Sequence, residues 1–150
     1  MRWPRGSGIS TGSLLHHFGT RERILAVAAH RTGQQLLWRI ELEAPSTGAA
    51  ALLPSDDQES RFLTRAWLAW CELWRSEPWL ESAVGDIRRV EVDVLARVHD
   101  HRLSRPDLDT LVALVDGLRA AVFAPLRPMT LARARDLLTA ASARALDRSP

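Results

Sequence analysis

The 150-residue chain lacks several features that mark particular classes of protein. Tyrosine is absent, runs of β-branched residues are short, and no stretch sustains the period-2 alternation of an exposed strand. Ala, Leu and Arg dominate instead, and these residues are strong helix formers. The sequence therefore predicts an all-α fold.

Cysteine is nearly absent, and Cys71 stands alone, which excludes an internal disulfide. No apolar run approaches the roughly 20 residues that a membrane-spanning helix needs. The first eight residues also lack the apolar middle of a secretory signal. We therefore expect a cytoplasmic protein with no membrane partner.

Catalytic motifs are missing as well, since the chain has neither a Gly-x-Ser-x-Gly motif nor a phosphate-binding glycine loop. Histidines occur as His16-His17 and around Asp100, as His99 and His101. Adjacent helical histidines point about 100° apart, and no Cys or spaced Glu completes a ligand set. We predict no enzymatic activity, no metal and no cofactor.

The charge is unevenly distributed. Residues 1–40 hold six arginines and one acid, a net charge of +5. Because the whole chain carries +2, residues 41–150 carry −3. A basic end on an acidic body is typical of a protein that meets a polyanion at that end, although chance scatter of charge gives the same pattern.

The 3.6-residue period of apolar residues predicts six helices, one short and five long. The short helix opens at Ser10 and ends near Gly19. The long helices are predicted at about 20–44, 55–76, 78–102, 104–125 and 130–147.

Local signals support these bounds. Thr20 and Ser104 are suited to cap helices, and Ser55-Asp-Asp-Gln58 has the form of a capping box. The stretch 45–54 is uncharged and rich in Pro and Gly. We interpret it as a linker between a domain at 1–44 and a second domain at 55–147.

One segment, Gly8–Leu25, resembles the recognition helix and following turn of TetR-family regulators, which repress transcription in response to ligands. It reads GISTGSLLHHFGTRERIL, and its most specific part is His16–Glu22. The resemblance implies a helix-turn-helix domain that binds operator DNA. Thr11 and Leu15 depart from the family, which usually has a basic residue and an aromatic hydroxyl there.

The resemblance assigns DNA contacts that agree with the chemistry of the residues. Backbone N–H groups at the start of a recognition helix suit a phosphate, and a glycine there allows close approach to DNA. Small polar and basic side chains donate to phosphates or base edges. The candidate DNA-binding residues are Ser10, Thr11, Gly12, Ser13, His16, His17 and Arg21.

The family's DNA-binding domain begins with two further helices, whereas only eight residues precede Ile9 here. Two interpretations follow from that difference. Either the coding sequence begins further upstream, or the domain is truncated and its DNA binding is impaired. In the second case the chain acts as a dimerisation or small-molecule-binding module.

The body of the chain is similar to the choline-responsive BetI-like branch of the same family, through Ala66–Trp79, Arg88-Arg89 and Leu111–Arg119. That similarity implies a homodimer controlled by a small-molecule effector. The expected dimer contact is a four-helix arrangement of the last two helices from each subunit. Its candidate residues are Leu111, Val115, Leu118, Leu137, Leu138 and Ala141.

Three tryptophans, Trp67, Trp70 and Trp74, follow one another at i, i+3 and i+7 and therefore share one helical face. One interpretation is an effector pocket, because ligand sites are apolar clefts and stacked indoles attract cations. The other is that most of these indoles belong to the hydrophobic core. Both interpretations follow from the same spacing.

Overall fold

The computed structural model describes residues 19–148, and within that range the chain is helical with no β-strand. Five α-helices form the body: α1 (Arg21–Thr47), α2 (Gln58–Trp74), α3 (Asp86–Arg97), α4 (Arg105–Val122) and α5 (Leu131–Arg148). The all-α prediction is confirmed. The short helix predicted from Ser10 lies outside the described residues.

None of the helices found between residues 19 and 148 has both the length and the apolar character that a membrane crossing requires.

Helix α1 begins where the sequence predicts and ends later. Thr20 caps it, because its Oγ1 accepts a hydrogen bond from the Arg23 amide at 3.2 Å. The predicted end near Ala44 is wrong, since the helix continues through Pro45 to Thr47. Pro45 removes one backbone hydrogen bond and does not end the helix, which stops at Gly48, whose φ of +58° suits glycine. The Gly48 amide then donates to the Ala44 carbonyl.

Helix α2 is capped two residues later than the predicted capping box. The Oδ1 atom of Asp57 accepts a hydrogen bond from the Ser60 amide at 2.7 Å, which makes Asp57 the N-cap. Ser55 lies outside the helix and donates its hydroxyl to the same carboxylate. Both hydrogen bonds lower the pKa of Asp57, and the bond from Ser55 has the larger effect. Asp57 takes the capping position because its carboxylate accepts hydrogen bonds from the Ser55 hydroxyl and from the Ser60 amide at the same time.

The helix predicted over 78–102 is regular only in its second half. A 3₁₀ turn at Pro78–Leu80 leads into a wider π turn at Glu81–Gly85, and α3 follows from Asp86 to Arg97. Ala83, Val84 and Gly85 are all buried. Three consecutive buried residues do not fit one face of a regular amphipathic helix, and the wider turn accommodates them.

The stretch 45–54, predicted as a linker, is part of the packed body. After α1 ends, Gly48–Leu52 forms a short 3₁₀ helix that contacts α1, α3 and α5. The side chains of Ala51, Leu52 and Leu53 belong to the hydrophobic core. Residues 51–54 are buried, which suits their uncharged composition, whereas Pro45, Ser46 and Thr47 are exposed in the last turn of α1.

Helices α1, α2 and α3 meet at Gly33, which is buried on the inner face of α1. A Cβ atom at this position would lie 2.8 Å from the side chain of Ile87 in α3. It would lie 2.9 Å from the indole of Trp67 in α2. The absence of a side chain at Gly33 therefore sets how closely the three helices pack.

We predict that Gly33→Ala destabilises the protein, by roughly 1–3 kcal/mol of unfolding free energy, because the added methyl overpacks this junction. Urea unfolding followed by circular dichroism measures the effect. The matched control is Gly117→Ala in α4, measured at a protein concentration too low for dimers, because an added Cβ meets open space there within the single chain. That change removes a helical glycine and should stabilise by about 0.5–1 kcal/mol. Equal effects of the two substitutions would contradict the packing argument.

Candidate functional site

The three tryptophans of α2 contact three different elements. Trp67 is fully buried, and its Nε1 lies 3.4 Å from Glu91 Oε2 in α3. The Nε1 of Trp70 donates to Thr32 Oγ1 of α1 at 3.2 Å. The indole of Trp74 donates to a carboxylate in the π turn. Trp67 is thus a core residue, whereas Trp70 and Trp74 are half-buried, and their role in a pocket stays a prediction.

A buried ion pair lies beside Trp67. The side chains of Glu91 in α3 and Arg119 in α4 are 3% and 1% exposed, and Oε1 lies 2.7 Å from Nη1. Glu91 Oε2 also accepts a hydrogen bond from Nη1 of Arg88 at 2.7 Å. Arg88 in turn forms two hydrogen bonds, of 2.9 and 2.6 Å, with the carboxylate of Asp116. The four side chains form an ionic cluster of two positive and two negative charges.

Arg119 also anchors the segment that follows α1. Its Nε donates to the Leu52 carbonyl at 2.6 Å, so one side chain joins α4, α3 and the buried 3₁₀ helix. Among residues 19–148, Nη2 of Arg119 and Oγ1 of Thr64 are buried with no hydrogen-bond partner. Nη2 of Arg119 is therefore a buried hydrogen-bond donor of the cluster for which the described part of the protein supplies no acceptor.

Electrostatics within this cluster favour the charged form of Arg88. Burial acts to lower the pKa of Arg88, but the carboxylates of Glu91 and Asp116 outweigh burial, and the pKa is raised above its ordinary value. The sequence reasoning missed the cluster as a unit, although Arg88 was part of the quoted resemblance. The sequence did contain one sign of the cluster, a charged residue at an apolar position of a helix. Glu91 lies between Ile87 and Val94 on the buried face of α3.

Cys71 lies one residue beyond Trp70 and is half-buried. Burial raises the pKa of its thiol to about 12, and the nearby guanidinium of Arg88 opposes this shift only in part. The thiol is therefore neutral at physiological pH and poorly nucleophilic.

The DNA-contact residues predicted from the sequence fall mostly outside the described part of the chain. Ser10, Thr11, Gly12, Ser13, His16 and His17 lie outside the described residues. Arg21 is described, and it is exposed in the first turn of α1. Arg23 is exposed one position beyond Glu22, so this end of α1 presents two guanidinium groups to solvent.

The residues predicted for the dimer interface divide into two groups. Leu111, Val115, Leu118 and Leu138 are 1–3% exposed and belong to the core of the single chain. Their assignment as interface residues is corrected, because the packing of α4 on α5 already removes them from solvent. Leu137 and Ala141 are half-buried. The spacing of these apolar residues identified the face of α4 and α5 that packs into the core. It did not identify the outer face of the two helices.

Open grooves lie away from the tryptophan face. One groove of about 380 Å³ runs between the carboxyl-terminal ends of α1 and α3, beside Ala44 and Val98. An ion pair between Glu41 and Arg97 crosses between these two helices. A second groove of about 380 Å³ lies between α1 and the first turns of α2.

Comparisons of the chain with models of known protein families, with curated proteins and with solved structures found no match.

We predict that Glu91→Leu or Arg119→Met alone lowers the unfolding free energy by about 3–5 kcal/mol, because the first leaves the buried Arg119 without its carboxylate and the second leaves Glu91 with Arg88 as its one remaining cation. The double variant Glu91→Leu with Arg119→Met should recover much of that loss. Urea unfolding of the three variants measures the coupling. Additive losses in the double variant would show that the two side chains do not act as a pair.

We predict that stability falls as the pH rises above about 9, the ordinary pKa of a thiol. The unfolded thiol ionises from that pH, whereas the folded thiol of Cys71 stays neutral until about pH 12, so alkaline conditions favour unfolding. Unfolding from pH 7 to pH 11 measures the trend, and Cys71→Ala serves as the control. An identical pH dependence in the control would refute a contribution from this thiol.

Proposed function

We propose that the protein is a ligand-responsive, DNA-binding transcriptional regulator of the repressor type. The observation that carries this proposal is the Gly8–Leu25 segment, with its resemblance to the recognition helix and turn of TetR-family regulators. The segment runs directly into α1, and its Thr20 is the N-cap of that helix. In such a regulator, α1 is the helix that connects the DNA-binding end to the body.

The charge distribution supports a DNA-binding end. Residues 1–40 carry a net charge of +5, whereas the remainder of the chain carries −3. Arg21 and Arg23 are exposed where α1 begins. Arginines at such an end hold phosphates and release counterions, which gives affinity that falls steeply with salt. The acidic body would be repelled by DNA, so binding is directed to one end.

The contacts of α1 with the body supply a route for ligand control. Trp67 packs against Gly33, and Trp70 donates a hydrogen bond to Thr32, so two indoles of α2 hold the connecting helix. A ligand that displaced either indole would shift α1 and the DNA-binding end with it. A coupling of a few kcal/mol is enough to change occupancy of an operator.

Dimerisation completes the mechanism, because a two-fold dimer places two recognition helices one turn of DNA apart. The outer surface of the α4–α5 pair is the proposed contact. Its small exposed residues include Ala113, Gly117 and Ala120, which follow at i, i+4 and i+7 and permit close approach. Leu137 and Ala141 lie half-buried on α5 beside them.

We predict specific binding of the protein to DNA flanking its own gene, with an affinity that falls steeply between low and moderate salt. Arg21→Ala should weaken binding roughly tenfold and lower the salt slope by about one, because it removes one phosphate contact. Gel-shift titration at two salt concentrations measures both. Arg102→Ala, at an exposed position between α3 and α4, is the matched control and should leave binding unchanged. Absence of specific binding, or equal effects of the two variants, would reject this reading.

A further inference from the structure

The outer face of α1 presents large apolar side chains to solvent. Val27, Trp38 and Leu42 are 40%, 69% and 66% exposed, and they account for half of the large hydrophobic residues exposed within residues 19–148. They lie on one side of the helix, together with exposed polar residues at the intervening positions. We call this set the α1 stripe: Val27, Arg31, Gln34, Gln35, Trp38 and Leu42.

The α1 stripe lies opposite the face that packs on the body. Ala29, Gly33, Leu36 and Ile40 are the buried residues of α1, and they point inward at helical spacing. The stripe therefore contributes nothing to the core. It extends over 16 residues from Val27 to Leu42, a length of about 22 Å along the helix axis.

The stripe is complementary to itself about its midpoint, between Gln34 and Gln35. Val27 and Leu42 are equally distant from that midpoint, and so are Arg31 and Trp38. If a second α1 lies antiparallel across this point, each apolar end meets the apolar end of the other copy. Each guanidinium then meets an indole, and each glutamine amide meets another amide.

A groove marks the same point on the surface. It has a volume of about 280 Å³ and is lined by Arg31, Gln34, Gln35 and Trp38, the four central residues of the stripe. An antiparallel partner would direct its own indole toward this groove. No carboxylate between residues 19 and 148 pairs with Arg31, so its guanidinium is available to an aromatic face.

We propose that the α1 stripe is a two-fold, antiparallel contact between two copies of this chain. The argument for a second copy is the self-complementarity, since a two-fold interface requires each position to match its symmetry mate. The contact involves one helix from each copy and is small for a specific interface. Association therefore depends on concentration, and it is separate from the α4–α5 contact of the proposed regulator.

The first experiment measures particle mass by light scattering between about 1 and about 200 µM protein, a range that mass action makes informative. Trp38→Arg should lower the mass of the concentrated protein to the value found at low concentration, because it places a second guanidinium opposite Arg31 at both symmetry-related contacts. Arg31→Glu should do the same. Leu126→Glu is the control, because Leu126 is 93% exposed and lies between α4 and α5. Circular dichroism confirms that the exposed substitutions leave the helices intact.

The second experiment tests the direction of the pairing by disulfide cross-linking in a Cys71→Ser background. Disulfides require Cα atoms within about 7 Å. In the antiparallel contact, two copies of Val27→Cys lie about 22 Å apart along the helix axis and should not cross-link. The same holds for two copies of Leu42→Cys. A mixture of the two variants should yield a covalent dimer.

Three results would overturn the proposal. The mass of the unmodified protein stays constant over the whole range, Trp38→Arg leaves the mass unchanged, or each single-cysteine variant cross-links with itself. An unchanged mass combined with specific DNA binding would leave the α4–α5 dimer and the proposed regulator intact. Loss of DNA binding with the α1 contact preserved would have the opposite meaning, so the two proposals fail separately.

Discussion

The buried ion pair between Glu91 and Arg119 is the interaction on which the rest of the structure depends. Two fully buried charges are tolerated only because each meets the other and both meet further polar partners. Through them α3 and α4 are joined to each other, to Trp67 in α2 and to the Leu52 carbonyl after α1. Hydrophobic packing has no direction, whereas this pair requires one relative placement of four elements.

Helix α1 has two faces with different roles. Its inner face packs closely because Gly33 leaves room for Trp67 and Ile87. In the proposed regulator this close packing would transmit motion between the body and the proposed DNA-binding end. Its outer face is free of the core and carries exposed Trp38 and Leu42. In the proposed regulator the same helix would respond to a ligand from inside and to a second copy from outside. Association along the stripe would then bias the position of the connecting helix.

The case for a DNA-binding regulator rests on residues and their placement, because comparisons with known proteins found no match. The recognition-like segment, Gly8–Leu25, includes the N-cap of α1, Thr20, and the exposed Arg21 and Arg23. The tryptophan face of α2 then connects that helix to the body. The capping of α1, the exposed arginines and the tryptophan contacts each have a separate physical reason, and the proposed mechanism uses all three.

The sequence alone determined the helical fold and several helix starts, because periodicity and capping are local properties. Thr20 and Ser104 cap the helices that they were predicted to cap. The sequence alone was less informative about which residues form the core of the single chain. The spacing of Leu111, Val115 and Leu118 predicted a packed face, but only the tertiary structure showed that this face is buried in the core of the single chain.

Tertiary structure also decided the features that depend on distant neighbours. The end of α1 passes Pro45 because Gly48 supplies the stop, and the π turn forms because Ala83, Val84 and Gly85 are buried together. The pairing of Glu91 with Arg119 spans 28 positions, so no local pattern contains it. Local propensity specifies where helices form, whereas burial and charge pairing across the fold decide which faces meet.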